Sequence, residues 1–192
     1  MNIQNLLSVI LFAMLVIIVI ARAVMLRQRG IHAIVFGQND KSDFLLVPLV
    51  LSIAYTALAG AFRLPIWGVL VRPFWNSAAP GWVGLILSAA AIIGIGLTLA
   101  SFGASFRVGI DENKPDKLVT SGMFAISRNP IYVCFLMFFA GLFLVHRNIV
   151  MAVAIALFAL VIHRQVMREE RFLAAHYGAE YEDYRKIVRR YL

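Results

Sequence analysis

Two short stretches of this sequence carry the residue types that do chemistry. The first is Arg128-Asn129-Pro130-Ile131-Tyr132, which leads into an uncharged apolar run from Pro130 to Val145. If that run is a helix, Asn129 falls at the N-cap and Pro130 at the first helical position, both favoured placements. A helix start presents free backbone N–H groups and the positive end of the dipole. With Arg128 beside it, such a mouth binds a carboxylate or a phosphate. The same residues also suit an architectural reading, as cap, helix starter, interfacial cation and interfacial phenol. Taken alone, the stretch leaves both readings open.

The second stretch is Glu169-Glu170. On a solvated helix face each Glu finds Lys or Arg three or four positions away. Here those positions are Gln165, Val166, Phe172 and Leu173 around Glu169, and Val166, Met167, Leu173 and Ala174 around Glu170. At least one carboxylate therefore borders the apolar stripe, where an unpaired charge is costly and something polar must meet it. Arg168, Arg171 or a basic group from another segment can neutralise the pair. A ligand can do so as well. A cationic helix mouth facing two carboxylates across an apolar cleft suits a zwitterionic ligand that also carries hydroxyls.

The elements that must position these groups are membrane helices. Of the 192 residues 61% are hydrophobic and 15% charged, and the mean hydropathy is +0.83, far from a soluble domain. The runs Ile3 to Ala21, Phe44 to Phe62 and Gly81 to Phe102 are long enough to cross about 30 Å of hydrocarbon as helices. Pro130 to Val145 and Ile149 to Ile162 are shorter, and His146-Arg147-Asn148 between them makes a helical hairpin. Ala21-Arg22-Ala23 resembles a signal-peptidase site, but the opening MNIQNLLSV lacks a basic region, so the first run is read as a retained helix. Cys134 is the only cysteine, which excludes an internal disulfide and a thiolate zinc cluster; no metal site is expected.

The net charge of +8 is distributed by the membrane and does not call for nucleic acid. If all five runs cross, Arg63, Arg72 and Arg147 lie on one side and the other fifteen Lys and Arg on the opposite side. The positive-inside rule then puts the N-terminus outside and the C-terminus in the cytoplasm. All ten acidic residues also fall on the cytoplasmic side.

No linker, low-complexity segment or internal repeat divides the chain, so one domain, 1–192, is expected. It is an all-α integral membrane bundle of about five transmembrane helices with a cytoplasmic C-terminal helical extension. Residues 1–102 supply three helices and 103–192 the hairpin and the C-terminal helices. Gly84, Ser88, Ala90, Gly94 and Thr98 give the third helix a small-residue face for close packing. Gly94-Ile95-Gly96 lacks the preceding strand and third glycine of a dinucleotide loop. Gly103 to Ser127 reads as a polar loop with turn residues Asp111, Asn113 and Pro115. The fifth helix runs on to about Tyr177 and stops at Gly178. A short helix from Glu180 to Arg190 follows, with Tyr181, Tyr184 and Val188 on one face and basic residues on the other, fit for an anionic lipid surface.

Two ordered blocks resemble the isoprenylcysteine carboxyl methyltransferases and their relatives, the phospholipid N-methyltransferases. KLVTSGMFAISRNPIY is similar to the pattern LV-x-x-G-x-[YF]-x-x-x-R-H-P-x-Y. REERFLAAHYGAEYEDYRKIVRR is similar to E-E-x-x-L followed by [FY]-G-x-x-Y-x-x-Y and a Val-x-Arg ending. The resemblance covers roughly Phe106 to Arg190 and makes 103–192 the cofactor-binding half. It implies an integral membrane enzyme that uses S-adenosylmethionine. By the resemblance, cofactor contacts fall on Lys117, Leu118, Val119, Phe124, Asn129, Pro130, Ile131, Tyr132, Glu169 and Glu170; the cationic helix mouth adds Arg128 as a cofactor-binding residue. Asn129 stands where the family usually has His, and it cannot titrate near neutral pH. Asp116 stands where eukaryotic members have another His, and the substrate-orienting Arg of those members falls at Gln165, one position from Arg164.

The expected activity is methyl transfer to a lipophilic acceptor, an isoprenylcysteine-like carboxylate, an isoprenoid acid or a thiol, entering from the lipid at the cytoplasmic face. Arg164 and Glu170 are the expected catalytic residues, with Arg164, Gln165 and Arg168 toward the acceptor. Three alternatives stand beside this: N-methylation of an aminophospholipid, a membrane reductase of similar C-terminal architecture, and a non-catalytic scaffold. The chain is short for the reductase, and a scaffold does not need Glu170 on an apolar face. The sequence shows no C-terminal lipidation box.

Overall fold

The computed structural model describes residues 2–28, 44–102 and 118–192. Lys117, the expected turn residues Asp111, Asn113 and Pro115, and Asp116 lie outside the described residues. Six α-helices are present, and no strand occurs among the described residues: α1 Ile3–Gln28, α2 Leu46–Phe62, α3 Ala79–Phe102, α4 Pro130–His146, α5 Ile149–Tyr177 and α6 Ala179–Ile187. A short 3-10 turn, Gly122–Ala125, precedes α4. The chain is an all-α membrane bundle. Segments of α1, α3 and α5 are long and apolar enough to cross a membrane. With 17 residues each, α2 and α4 reach about 25 Å, at the lower limit for a span.

Helix limits follow from local chemistry. α1 runs beyond Ala21 because no Gly or Pro interrupts Arg22 to Gln28. α3 starts two residues before Gly81, since Pro80 is tolerated in a first turn. The side-chain Oδ1 of Asn148 accepts the Met151 N–H at 2.9 Å and caps α5. Gly178 ends α5 with φ 54° and ψ −123°, a conformation open essentially to glycine alone. The last helix is shorter than expected. Val188 is already extended (φ −109°, ψ 133°), and residues 188–190 form a strap. The strap's carbonyls are drawn off by donors from the start of α4, described below.

α4 is the central post, in contact with α1, α2, α3 and α5. Its tightest neighbour is α3. A Cβ added to Gly84 would collide with the Gly141 carbonyl, and one added to Gly141 would collide with Ser88 and the Gly84 carbonyl. The two backbones therefore touch, and Ser88 Oγ donates to the Phe138 carbonyl at 3.1 Å. In lipid, apolar side chains gain little by leaving the solvent, so close approach and interhelical hydrogen bonds hold the bundle. Gly84, Ser88, Gly94 and Thr98 thus lie on a packing face of α3, whereas Ala90 is exposed and its neighbour Ala91 is the buried alanine. Phe138, Leu142, Met151 and Val166, all fully enclosed, fill the middle.

Candidate functional site

α4 and α5 are joined at one end by the turn at 147–148, so the start of α4 and the polar end of α5 meet at the other. Asn129 occupies the N-cap position but does not cap with its side chain. Its Nδ2 instead donates to Glu170 Oε1 at 3.0 Å and to the Arg190 carbonyl at 3.2 Å. The reason is that Glu170 is 6% exposed and competes for every nearby donor.

Arg128 uses all five of its N–H donors. Nε reaches Glu170 Oε1 at 3.2 Å, and Nη2 reaches Oε1 at 3.1 Å and Oε2 at 3.2 Å. Nη1 donates to the carbonyls of Arg185 (3.1 Å) and Val188 (3.2 Å). Arg190 Nε adds a bond to Glu170 Oε2 at 3.0 Å. The polar partner that Glu170 requires is therefore a pair of arginines and an amide from other segments. The helix mouth is not an open cationic cup, because Arg128 is turned onto Glu170 and the strap. The Arg128 N–H also donates to the Arg189 carbonyl at 2.9 Å, and Ser127 Oγ to the Arg190 carbonyl at 3.2 Å.

Glu169 lies on the neighbouring face of α5. Its Oε1 accepts from Tyr132 Oη at 2.6 Å and from Gln165 Nε2, one turn earlier, at 3.1 Å. Tyr132 and Gln165 are buried, and Glu169 is half-buried. Pro130 is buried and Ile131 partly so at the first turn of α4; Leu118 and Val119 are half-buried, and Phe124 is buried against Phe102 with ring centroids 4.5 Å apart. Arg164 is exposed and Arg168 half-buried on α5. The structure thus forms two hydrogen-bonded sets on adjacent positions of α5, Asn129 with Arg128 and Arg190 around Glu170, and Tyr132 with Gln165 around Glu169.

α6 backs these sets. Tyr184 Oη donates to the Phe124 carbonyl at 2.6 Å, fastening α6 to the 3-10 turn. Tyr181 is 1% exposed, and its hydroxyl has no hydrogen-bond partner. Burial pushes the phenols of Tyr181 and Tyr184 up to about 12, with Glu170 adding to the effect at Tyr181. The Tyr181-Tyr184-Val188 face points inward as its spacing predicts. Arg190 and the strap carbonyls were not expected in the site. The Val-x-Arg ending, Val188 to Arg190, was the available signal.

The model of the family described as phospholipid methyltransferase matches residues 75–180, more than half of the chain. The chain belongs to the phospholipid methyltransferase family. The matched region of this family member runs from the α2–α3 connection into α6 and takes in both Arg128-Asn129-Pro130 and Glu169-Glu170. Similar curated proteins include the nickel-cobalt-cadmium resistance protein NccN of Alcaligenes xylosoxydans xylosoxydans, 30% identical over 64% of this chain and 60% of its own length. The cobalt-zinc-cadmium resistance protein CzcN of Cupriavidus metallidurans is 31% identical over 71% of this chain and 66% of its own. The protein-S-isoprenylcysteine O-methyltransferase of Schizosaccharomyces pombe is 33% identical over 70% of this chain and 57% of its own. The matches thus span less than two thirds of each of these relatives. No solved structure matches the chain. Among the described residues no group of three or more His, Cys, Asp or Glu could hold a metal ion.

Proposed function

We propose that this chain transfers a methyl group from S-adenosylmethionine to a lipophilic acceptor at the cytoplasmic face of a membrane. The observation that carries the reading is the Tyr132–Glu169 bond of 2.6 Å, which joins the two sequence blocks that resemble the membrane methyltransferases. Family membership supports the same reaction class. The lopsided Lys and Arg distribution supports a cytoplasmic C-terminus and an external N-terminus.

The donor set fits S-adenosylmethionine. Its sulfonium and ammonium groups and its ribose hydroxyls call for a carboxylate and hydrogen-bonding neighbours, which Glu169, Tyr132 and Gln165 supply. Its adenine calls for apolar and aromatic walls, which Leu118, Val119, Phe124 and Ile131 supply. Lys117, Asn129 and Pro130 complete the proposed contacts. When bound, this cofactor supplies an activated methyl group. The protein's work is then mainly positional. Arg128 and Glu170 lock the ends of α4 and α5, which keeps Tyr132 and Glu169 in register, and Glu170 acts through this lock. Half-burial of the group limits water, and Arg164, with Gln165 and Arg168, orients an anionic acceptor in line with the methyl carbon. A carboxylate or thiolate acceptor needs no strong base.

The family's description favours one second reading, N-methylation of an aminophospholipid. Arg164→Gln separates the two, because it weakens turnover of an anionic acceptor and spares an amine. The deciding experiment is equilibrium binding of labelled S-adenosylmethionine to the purified full chain. It is followed by methyl transfer to a panel of prenylated thiols, isoprenoid acids and aminophospholipids. Saturable binding with transfer to any acceptor supports the enzyme; absence of binding leaves a membrane scaffold.

A further inference from the structure

A second polar concavity lies at the opposite end of the bundle, far from Glu169 and Glu170. It is a cavity of about 280 Å³, with walls from the start of α1, the end of α2, the α2–α3 connection and the α4–α5 turn. Its volume admits a phosphate with a few attached atoms rather than a nucleotide. Arg147, Asn148, Asn2, Asn5, His146 and Thr56 supply the polar part of the lining, with Asn5 Nδ2 already given to the Gly60 carbonyl at 2.7 Å and His146 Nε2 paired with Ser8 Oγ at 2.8 Å.

The lining is rich in donors. The Oδ1 of Asn148 is consumed by the Met151 N–H and the Oδ1 of Asn2 by the Gln4 N–H, at 2.9 and 3.0 Å. Each amide is therefore left with its NH2 donors for other partners. Arg147 Nε is shielded from solvent and has no hydrogen-bond partner, an expensive state for a buried donor. α5 also begins here, which adds the positive end of its dipole.

No acid is at hand. Between Phe44 and Ile110, and again between Lys117 and Arg168, the sequence has neither Asp nor Glu, yet Arg63, Arg72 and Arg147 all fall in these intervals. The acids of the described residues, Glu169, Glu170, Glu180, Glu182 and Asp183, all lie toward or beyond the far end of α5, so an anion from outside the chain suits Arg147 as counter-charge. The neighbouring connection exposes Trp67 (81%), Val69 (76%) and Phe74 (52%), the kind of side chains that sit among lipid headgroups.

We propose that this cavity binds a phosphate oxyanion, with Arg147 as the central donor and the amides of Asn2 and Asn148 beside it. A phospholipid headgroup and free phosphate offer the same chemistry, and the test separates them. The site is independent of the methyltransferase reading.

Thermal unfolding of the purified full chain in an uncharged detergent is followed with three probes: dihexanoyl phosphatidylglycerol, dihexanoyl glycerol and inorganic phosphate. A rise in Tm with the phosphatidylglycerol but not with the glycerol is expected. If inorganic phosphate gives the same rise, the bound species is the free oxyanion; if it gives none, the headgroup is required. Arg147→Gln weakens the response about tenfold or more, the loss expected for a charge-assisted contact, while Arg147→Lys retains part of it. Equal responses to the phosphatidylglycerol and the glycerol, no response to any phosphate probe, or an undiminished response in Arg147→Gln would overturn the proposal. The wild-type comparison decides even if a variant fails to fold.

Discussion

One guanidinium nitrogen of Arg128 holds both carboxylate oxygens of Glu170, at 3.1 and 3.2 Å, and so ties the segment leading into α4 to the last third of α5. Both side chains are less than a tenth exposed. Removing one partner strands the other charge, which costs about 3–5 kcal/mol for a buried pair. Glu170→Ala and Arg128→Ala are each expected to lower the unfolding midpoint strongly, and the double variant to lose less than the sum. A double-mutant cycle measures this, and strict additivity would show that the contact is not energetically coupled.

Tyr132→Phe removes one charge-assisted hydrogen bond and leaves the ring in place. Affinity for S-adenosylmethionine is expected to fall by about tenfold or more, with helix content unchanged. Glu169→Gln should act in the same direction. Calorimetric titration of both variants is the check, and unaltered affinity would remove the Tyr132–Glu169 pair from the ligand site.

The α3–α4 crossing has no room for a side chain at Gly141, where an added Cβ would run into Ser88 and the Gly84 carbonyl. Gly141→Leu must push the helices apart, and overpacking of this kind costs about 1–3 kcal/mol or more. Gly96, with nothing within 4 Å of an added Cβ, is the control. Gly96→Ala should unfold close to wild type, and equal behaviour of the two variants would refute the close crossing.

Alkaline pH should loosen α6. Tyr181 and Tyr184 have folded values near 12 against an ordinary 10.0. An acid whose folded value is raised ionises first in the unfolded chain. Its stabilising contribution is therefore complete below pH 10 and lost as pH rises toward 12. Tyrosinate absorbance followed together with unfolding should show these phenols titrating only as the C-terminal segment detaches. Early titration at the ordinary value would contradict their burial.

Gly178 has open space around an added Cβ but an unfavourable backbone for any other residue, with φ 54° and ψ −123°. Gly178→Ala should therefore cost about 1–3 kcal/mol through backbone strain alone. Proteolytic release of α6, faster than in wild type, would report it; an unchanged rate would argue for a different turn.

The membrane helices were legible because apolar runs of that length have few alternatives, and Gly178 was legible as a helix stop. The need of Glu170 for a partner could be read from its apolar neighbours three and four positions away. Which partner it takes could not, since Arg128 and Arg190 come from segments distant in sequence. The end of α6 departs from its sequence pattern for the same reason: propensity carries the helix to Arg190, and tertiary bonds from Arg128, Ser127 and Asn129 pull the strap out of it.

The Arg128–Glu170 contact also constrains how the hairpin enters a bilayer. Both ends must emerge on the same side for the two charges to meet. A chain threaded with α4 displaced would leave a guanidinium in hydrocarbon without its acid. The contact therefore acts as a proofreading device for topology, rewarding only the insertion in which the two arms arrive together.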